Sequence, residues 1–563
     1  MDTRESKINP RGRQRQGVLY VSVLFVSMAV LMLEISFSRI FSVMFDYHYA
    51  FLLISLAILG LGAGGIYVHT RTEKTTSHSH ENILPFASGS MALSTVATTL
   101  SIMKIPFLHH VLLAGLLTFL PFFFAGIFLS AAFRFFAKKS AQLYASDLIG
   151  ASLGATLAVV SLRFGGINTN LFAAFLSSLP AGLLMYRKGL TKPGRVIPPV
   201  LTAGVFSIFI GNVLIGFLGQ VPLGRGPHKE MGHLLNHPTS IAKVIDSRWS
   251  GFGRTDLVTD EINPDEMGLY VDGTAGTTMY RFDGNLKGLE RYGFTDFSEY
   301  FPFGLLSEKE KESVLIIGSG GGKEVLISLL GGAKEVTAVE VNRDLVNLMK
   351  KYSDFNGGIY NGFPRVKVLV EEGRNFVRRT RETYDVIMLV IPVTKTSRSL
   401  EGFALTENFL FTVQSINDYL DILTPNGQLI VGTHDDLEIF RLIFTSLAAL
   451  ETRGIDTPSA MKHIYVVGPE RFPIFVLKKS PLSPNEAQRV HLGMHKYDYA
   501  THSSFIPYIP QAKHTISLGE GIYYEHDMLN QSLYLIANGE VSPEEVIKTA
   551  SHEIGAVTDD DPF

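Results

Sequence analysis

Gly318-Ser319-Gly320-Gly321-Gly322 lies between an apolar run, Val314 to Ile317, and a helix-like stretch, Lys323 to Leu330. Strand, glycine loop, helix is the order that turns backbone N–H groups and a helix N-terminus toward a ligand. Glycines alone would suit any tight strand-to-helix turn. Glu340 adds chemistry. It closes the next apolar run, Glu335 to Val339, 20 residues beyond Gly320, where a carboxylate can accept both hydroxyls of a ribose. A third run, Val366 to Val370, ends in Glu371-Glu372-Gly373-Arg374, and a fourth spans Tyr384 to Val390. This alternation predicts a doubly wound parallel sheet with a nucleotide or nucleoside at the carboxyl ends of its strands.

Asp272, Tyr300, Glu401, Glu407 and His434 are the remaining candidates for chemistry. Glu407 precedes a predicted helix, where it can act as a base at the rim of the site or simply favour the helix dipole. His434 with Asp435 and Asp436 offers cation ligands, but adjacent carboxylates on an extended chain point apart, which favours a solvated loop. Cysteine is absent, so disulfides, thiolate metal sites and cysteine nucleophiles are excluded. Trp249, the single tryptophan, is expected to pack in a β-rich subdomain.

The elements that must carry these residues fall into two contrasting halves. Residues 1–220 hold 17 Lys and Arg against 7 Asp and Glu, whereas the remainder holds 33 against 46. That acidic balance, without a basic stripe, argues against a nucleic-acid partner. The first half contains seven apolar runs, beginning with Gly17 to Phe37, each long enough to cross a bilayer. Gly60, Gly62, Gly64 and Gly65, and the stripe Ser146, Gly150 and Gly154, let helices approach closely. Glu34 and Asp147 are ionisable groups at or near membrane depth, marking a substrate path or pairing with Arg39, Arg163 or a headgroup. Basic loop residues such as Arg134 and Lys188 alternate with nearly uncharged loops, which places the N-terminus in the cytoplasm. Seven crossings from there would put the second half outside. Cofactor supply favours the cytoplasm, which requires one run, such as that with Pro198 and Pro199, to be re-entrant. The expected organisation is a basic tail over 1–16, a multispan region over 17–219, a linker over 220–245, a β-rich subdomain over 246–300 and a Rossmann-like domain over 301–563.

The motifs VLIIGSGGGKEVL (Val314 to Leu326), VTAVEVN (Val336 to Asn342), VEEGRNF (Val370 to Phe376) and YDVIML (Tyr384 to Leu389) resemble the spermidine and spermine synthase family, which has the class I methyltransferase fold. LYVDG, at Leu269 to Gly273, is similar to the family's substrate-side hairpin, and Leu405 to Val431 to its fifth helix and strand. LMLEISFSRI (Leu31 to Ile40), YASDLIGASLGA (Tyr144 to Ala155) and the closing TDDDPF (Thr558 to Phe563) resemble its membrane-bound branch.

That resemblance implies a cofactor site built from Gly318, Ser319, Gly320, Gly322, Glu340, Val341, Glu372 and Gly373. Glu340 would hold the ribose and Glu372 with Gly373 the adenine of S-adenosylmethionine or its decarboxylated form. The family's aspartate after the fourth strand is replaced by Val390-Ile391-Pro392-Val393, and its Tyr-His-Glu segment by Glu299-Tyr300-Phe301-Pro302. Glu407, Tyr300 and Asp272 are left as catalytic candidates. Two functions stay open. One is a membrane-integrated transferase moving an aminopropyl or methyl group to a polyamine or lipid-associated acceptor. The other is a transporter or sensor whose synthase-like domain binds a nucleoside or polyamine without catalysis.

Overall fold

The structure, a computed structural model, describes residues 10–46, 49–72, 80–105, 110–186, 196–224, 229–390, 409–434, 436–468, 472–496, 504–509, 533–550 and 553–562. Two units make up the chain, Met1–Asp256 with Tyr270–Gly276 and Leu257–Leu269 with Thr277–Phe563.

In the first unit the apolar runs become α1 (Pro10–Met44), α2 (Tyr49–Thr72), α3 (His80–Lys104), α4 (Val111–Phe135), α5 (Ser140–Ser161), α6 (Gly166–Tyr186) and α7 (Ile197–Ile215). All seven are long and apolar enough to cross a membrane, as their sequence predicts. Pro198 and Pro199 fall in the first turn of α7, where a missing N–H costs nothing, so the helix runs its full length. Glycine sets how the helices meet. A Cβ on Gly150 would stand 2.4 Å from the Leu24 carbonyl oxygen, and one on Gly154 2.3 Å from that of Met28. Backbones of α1 and α5 therefore touch, and the two helices run in the same direction. Gly64 and Gly126 do likewise for α2 and α4, at 2.4 Å from Phe123 O and 2.3 Å from Leu61 O. Such close approach supplies the van der Waals contact that joins helices in lipid. Ser146 instead bonds the Gln142 carbonyl of its own helix, and Asp147 accepts a hydrogen bond from Ser27 of α1.

Strands β1 (Lys243–Trp249), β2 (Arg254–Thr259), β3 (Glu266–Val271) and β4 (Thr274–Tyr280) form a sheet in that order. Asp272 and Gly273, at φ 50° and 75°, make the two-residue turn between β3 and β4, which is the hairpin expected from LYVDG. Trp249 packs against the helical core rather than within a separate β subdomain, because Gly166 of α6 leaves room beside its ring. Within the stretch expected to be a linker, residues Glu230–Asn236 form a short helix.

The second unit is built on β5 (Ser313–Ile317), β6 (Glu335–Glu340), β7 (Val366–Val370), β8 (Tyr384–Val390), β9 (Leu423–Gly432), β10 (Ile464–Val467) and β11 (Ile474–Lys478), in the order β10-β11-β9-β8-β5-β6-β7. Strands β5 to β9 are parallel, while β11 runs antiparallel to β9 and β10. The core strands β5 and β8 are almost continuously apolar because helices cover both faces. Strand order reverses between β5 and β8, which opens a crevice at their carboxyl ends. The result is the α/β domain, following a multispan-type helical region, that the sequence predicts.

Candidate functional site

At the end of β5 the chain turns directly into the helix Lys323–Leu330. Gly318, Gly320 and Gly322 supply the left-handed conformations this needs, at φ 75°, 47° and 87°. Gly321 has a packing role: a Cβ there would lie 2.2 Å from the Thr278 carbonyl oxygen. Loop N–H groups are partnered, Gly318 to Val339 O at 2.9 Å, Gly320 to Glu340 Oε2 at 3.0 Å and Gly321 to Thr277 Oγ1 at 3.0 Å. Ser319 is fully buried, and the Tyr360 hydroxyl bonds both its Oγ at 2.6 Å and the Gly320 carbonyl at 2.9 Å. Burial pushes the Tyr360 phenol well above its ordinary pKa, so it stays a neutral donor.

Glu340 ends β6 with its side chain turned back on this loop. Its Oε2 accepts from Gly320 N–H, and its Oε1 accepts from Asn342 N–H at 2.8 Å. Burial raises the carboxyl pKa, opposed by the N–H groups of Asn342, Gly320 and Val341. Lys334, six residues before Glu340 in sequence, pairs instead with Glu312. Each carboxylate oxygen has two lone pairs, so acceptor capacity is left over for a ribose hydroxyl. Val341 follows with 46% exposure, an apolar surface suited to a base. Among the residues expected to bind a cofactor, Gly318, Gly320, Glu340 and Val341 thus gather at the carboxyl ends of β5 and β6. Ser319 and Gly322 shape the turn from behind.

Glu372 and Gly373 follow β7. Both Glu372 oxygens accept backbone N–H groups, from Arg374 at 2.9 Å and Asn375 at 2.7 Å, capping the helix Gly373–Arg379. Gly373 is required by packing, since a Cβ would come 2.3 Å from Ile317 Cγ2. The adjacent Arg374 reaches Asp418 at 2.7 Å and Asp559 at 3.2 Å, and Asp559 also accepts from Thr412 Oγ1 at 2.6 Å. Two motifs far apart in sequence, VEEGR and TDDDPF, are one contact in space.

A second group lies at the start of the helix Lys323–Leu330. Lys323 Nζ meets Glu299 at 2.8 Å and Glu324 at 3.4 Å, and stands 5.0 Å above the Phe297 ring. Burial works to lower the Lys323 pKa, but Glu324 and Glu299 outweigh it and hold the ammonium above its ordinary value. Sequence spacing gave no sign of this trio or of Tyr360, because Glu299 and Tyr360 reach the loop from separate segments.

Tyr300 begins the short helix Tyr300–Gly304 and packs against the core of its unit. Asp272 belongs to the first unit, where its oxygens accept from Ser42 Oγ at 2.7 Å and Arg254 N–H at 2.8 Å. Glu401 and Glu407 lie outside the described residues. His434 faces Glu438 at 3.8 Å. Among the described residues, no group of three or more His, Asp or Glu is placed to hold a metal ion.

Residues 301–444 match the profile of the spermine/spermidine synthase domain. That stretch is similar to a spermine/spermidine synthase domain. The polyamine aminopropyltransferase of Serratia proteamaculans (strain 568) is 29% identical over 134 residues, 23% of this chain and 46% of the relative. That of Korarchaeum cryptofilum (strain OPF8) is 38% identical over 89 residues, 15% of this chain and 26% of the relative. The chain thus spans about half or less of the length of these curated relatives. A spermidine synthase from Thermotoga maritima aligns at 18% identity and a TM-score of 0.30, covering 43% of this chain and 75% of that one. A spermidine synthase in complex with the transition state analogue AdoDATO aligns at 16% identity with the same TM-score and coverage. Within the synthase domain, the matched residues include the glycine loop, Glu340 and Glu372.

Proposed function

We propose that this is an integral membrane protein whose synthase domain binds decarboxylated S-adenosylmethionine, or S-adenosylmethionine itself, and transfers an aminopropyl or methyl group to a polyamine or lipid-associated acceptor. Glu340 carries the reading. Its carboxylate is fixed by backbone N–H groups, stands beside the glycine loop, and keeps acceptor capacity beyond them. In this reading Glu340 holds the ribose, Val341 faces the adenine, Glu372 borders it, and Gly318 and Gly320 leave space for the sulfonium end. Such a nucleoside supplies a carbon made electrophilic by its sulfonium; an acceptor lone pair forms the new bond as the C–S electron pair returns to sulfur. The residues contribute alignment, which accelerates a displacement of this kind strongly. An ammonium acceptor must first lose a proton, and Glu407 is the residue proposed to take it.

Binding without catalysis is the second reading, favoured by the segment after β8, where Val390-Ile391-Pro392-Val393 offers no carboxylate. Calorimetry on the full chain in nanodiscs, against decarboxylated S-adenosylmethionine, S-adenosylmethionine, methylthioadenosine and NAD, tests the common part. Adenosyl thioethers or sulfoniums should bind and NAD should not; preference for NAD would overturn both readings. Release of methylthioadenosine or S-adenosylhomocysteine with a panel of amines then separates transferase from sensor. The synthase domain is proposed to face the cytoplasm, which requires α7 to lie in the membrane interface rather than cross, and impermeant thiol labelling of cysteines introduced near Lys138 and Ser353 in intact cells checks the side.

A further inference from the structure

Five charged side chains are gathered in the first unit. Lys229, 2% exposed, bonds the Ser42 carbonyl at the end of α1 and the Asp272 carbonyl at 2.8 Å. Asp272, 7% exposed, is held by Ser42 Oγ and Arg254 N–H, in the left-handed conformation of the Asp-Gly hairpin turn. Arg254 is buried too, and its side chain donates to Asp256 at 2.9 Å, Val221 O at 3.0 Å and Gln220 at 3.1 Å. Asp46 follows α1 and acts on Lys229 electrostatically, as Asp272 does. Around these, Ser247 of β1 donates to Asp256, while Glu230 is solvent-exposed and the Asp246–Arg248 pair forms its own contact at 3.6 Å.

The charges do not balance. Three carboxylates face one ammonium and one guanidinium, so the fully ionised cluster is left with one negative charge, which is costly in the interior. Two oxygens mark where the missing positive charge belongs. Asp256 Oδ2, on a residue of 0% exposure, and Asp46 Oδ1 are both buried with no hydrogen-bond partner among the described residues. A buried acceptor with no donor is the environment that protonates a carboxylate.

We infer that this cluster is a proton-binding site, its ligand a single exchangeable proton carried on Asp256. Protonation gives Oδ2 a hydrogen in place of an uncompensated charge and makes the cluster neutral. Burial raises the Asp256 carboxyl pKa, against Arg254 and Ser247, in agreement with that geometry. A site of this kind beside the end of α1 gives the helical unit a proton to exchange, which goes beyond any role of the synthase domain.

Infrared difference spectroscopy on the full chain in nanodiscs tests it. Wild type should show a deuteration-sensitive carboxylic-acid C=O band at neutral pH that disappears on alkalinisation. Asp256→Asn should remove that band, Asp46→Asn, which takes away the excess negative charge, should keep the band but lower its pH midpoint, and Asp256→Glu should move its pH midpoint; the last keeps the test decisive if the asparagine variant does not fold. A wild-type protein with no such band, or a band that survives Asp256→Asn, overturns the assignment. So does a band abolished at constant pH by sodium or potassium chloride but not by choline chloride, because the ligand would then be a metal cation.

Discussion

Two lysines in the two units show what the partner of a buried charge decides. Lys323 is surrounded by carboxylates, and its ammonium is held above the ordinary value despite burial. Lys229 instead donates to two backbone carbonyls, and burial lowers its pKa to about 8, with Asp272 and Asp46 opposing. Dipoles satisfy hydrogen bonds without matching a full charge; ion pairs match it but leave two charges buried when one partner is lost. Glu340, held by N–H dipoles with its pKa raised, belongs with Lys229. Arg374 and Asp559 belong with Lys323.

The largest effect expected from this contrast is that of Lys323→Met, which strands Glu299 and Glu324. A loss of about 3 kcal/mol in stability of the second unit is expected, the low end for breaking a buried pair because the lysine side chain is 21% exposed. Denaturant unfolding of the full chain reads it, and a loss below about 1 kcal/mol would break the comparison.

Next comes the pH dependence of Lys229. Its folded value of about 8 lies below the roughly 10.4 of an unfolded lysine. Between those values the unfolded chain carries a proton the native one lacks, so stability rises with pH. The cost of the buried ammonium is fully present below the folded value and is relieved by about 3 kcal/mol on passing through the window. Thermal unfolding of wild type and Lys229→Met from neutral to alkaline pH should show this rise only in wild type. Parallel profiles would mean that the carbonyls and carboxylates together hold Lys229 as firmly as Lys323.

Glu340→Ala sharpens the dipole side. Two charge-assisted bonds to ribose should be lost, weakening adenosyl-ligand binding roughly tenfold to a hundredfold. The Gly320 and Asn342 N–H groups also lose their acceptor, so stability should fall by about 1 kcal/mol or more. Glu340→Gln, which retains one acceptor, should fall between alanine and wild type in calorimetry. Unchanged affinity in both variants would leave Glu340 a loop brace alone.

Asp559→Asn should have the smallest effect, about 1 kcal/mol in denaturant unfolding, because Asp559 is 34% exposed and Arg374 keeps Asp418. A cost similar to that of Lys323→Met would show that exposure matters less than the comparison requires.

Much of this was legible in sequence where a local pattern dictates a local element. The apolar runs announce α1 to α7, and Val314 to Ile317 with Gly318 to Gly322 announces a strand and a left-handed turn. Residues whose role depends on distant segments were not legible. Asp272 stood as a catalytic candidate on its hairpin, yet its carboxylate is engaged by Ser42, 230 positions away. Tyr360 reaches Ser319 across 41 positions with no motif of its own. Glu340 sits between these cases: its position was readable, whereas the two N–H groups already bound to it were not.

The clasp between Arg374 and Asp559 spans 185 residues. During synthesis at about 5 to 20 residues per second, the arginine waits roughly ten to forty seconds for its partner to be made. Over that interval the helix after β7 presents a guanidinium whose partners are Asp418, the Phe409 carbonyl and Thr412, and Thr412 lacks the carboxylate it will later bond. Completion of this corner of the domain therefore cannot precede the synthesis of Asp559, so the ribosome sets the earliest moment at which the clasp can close.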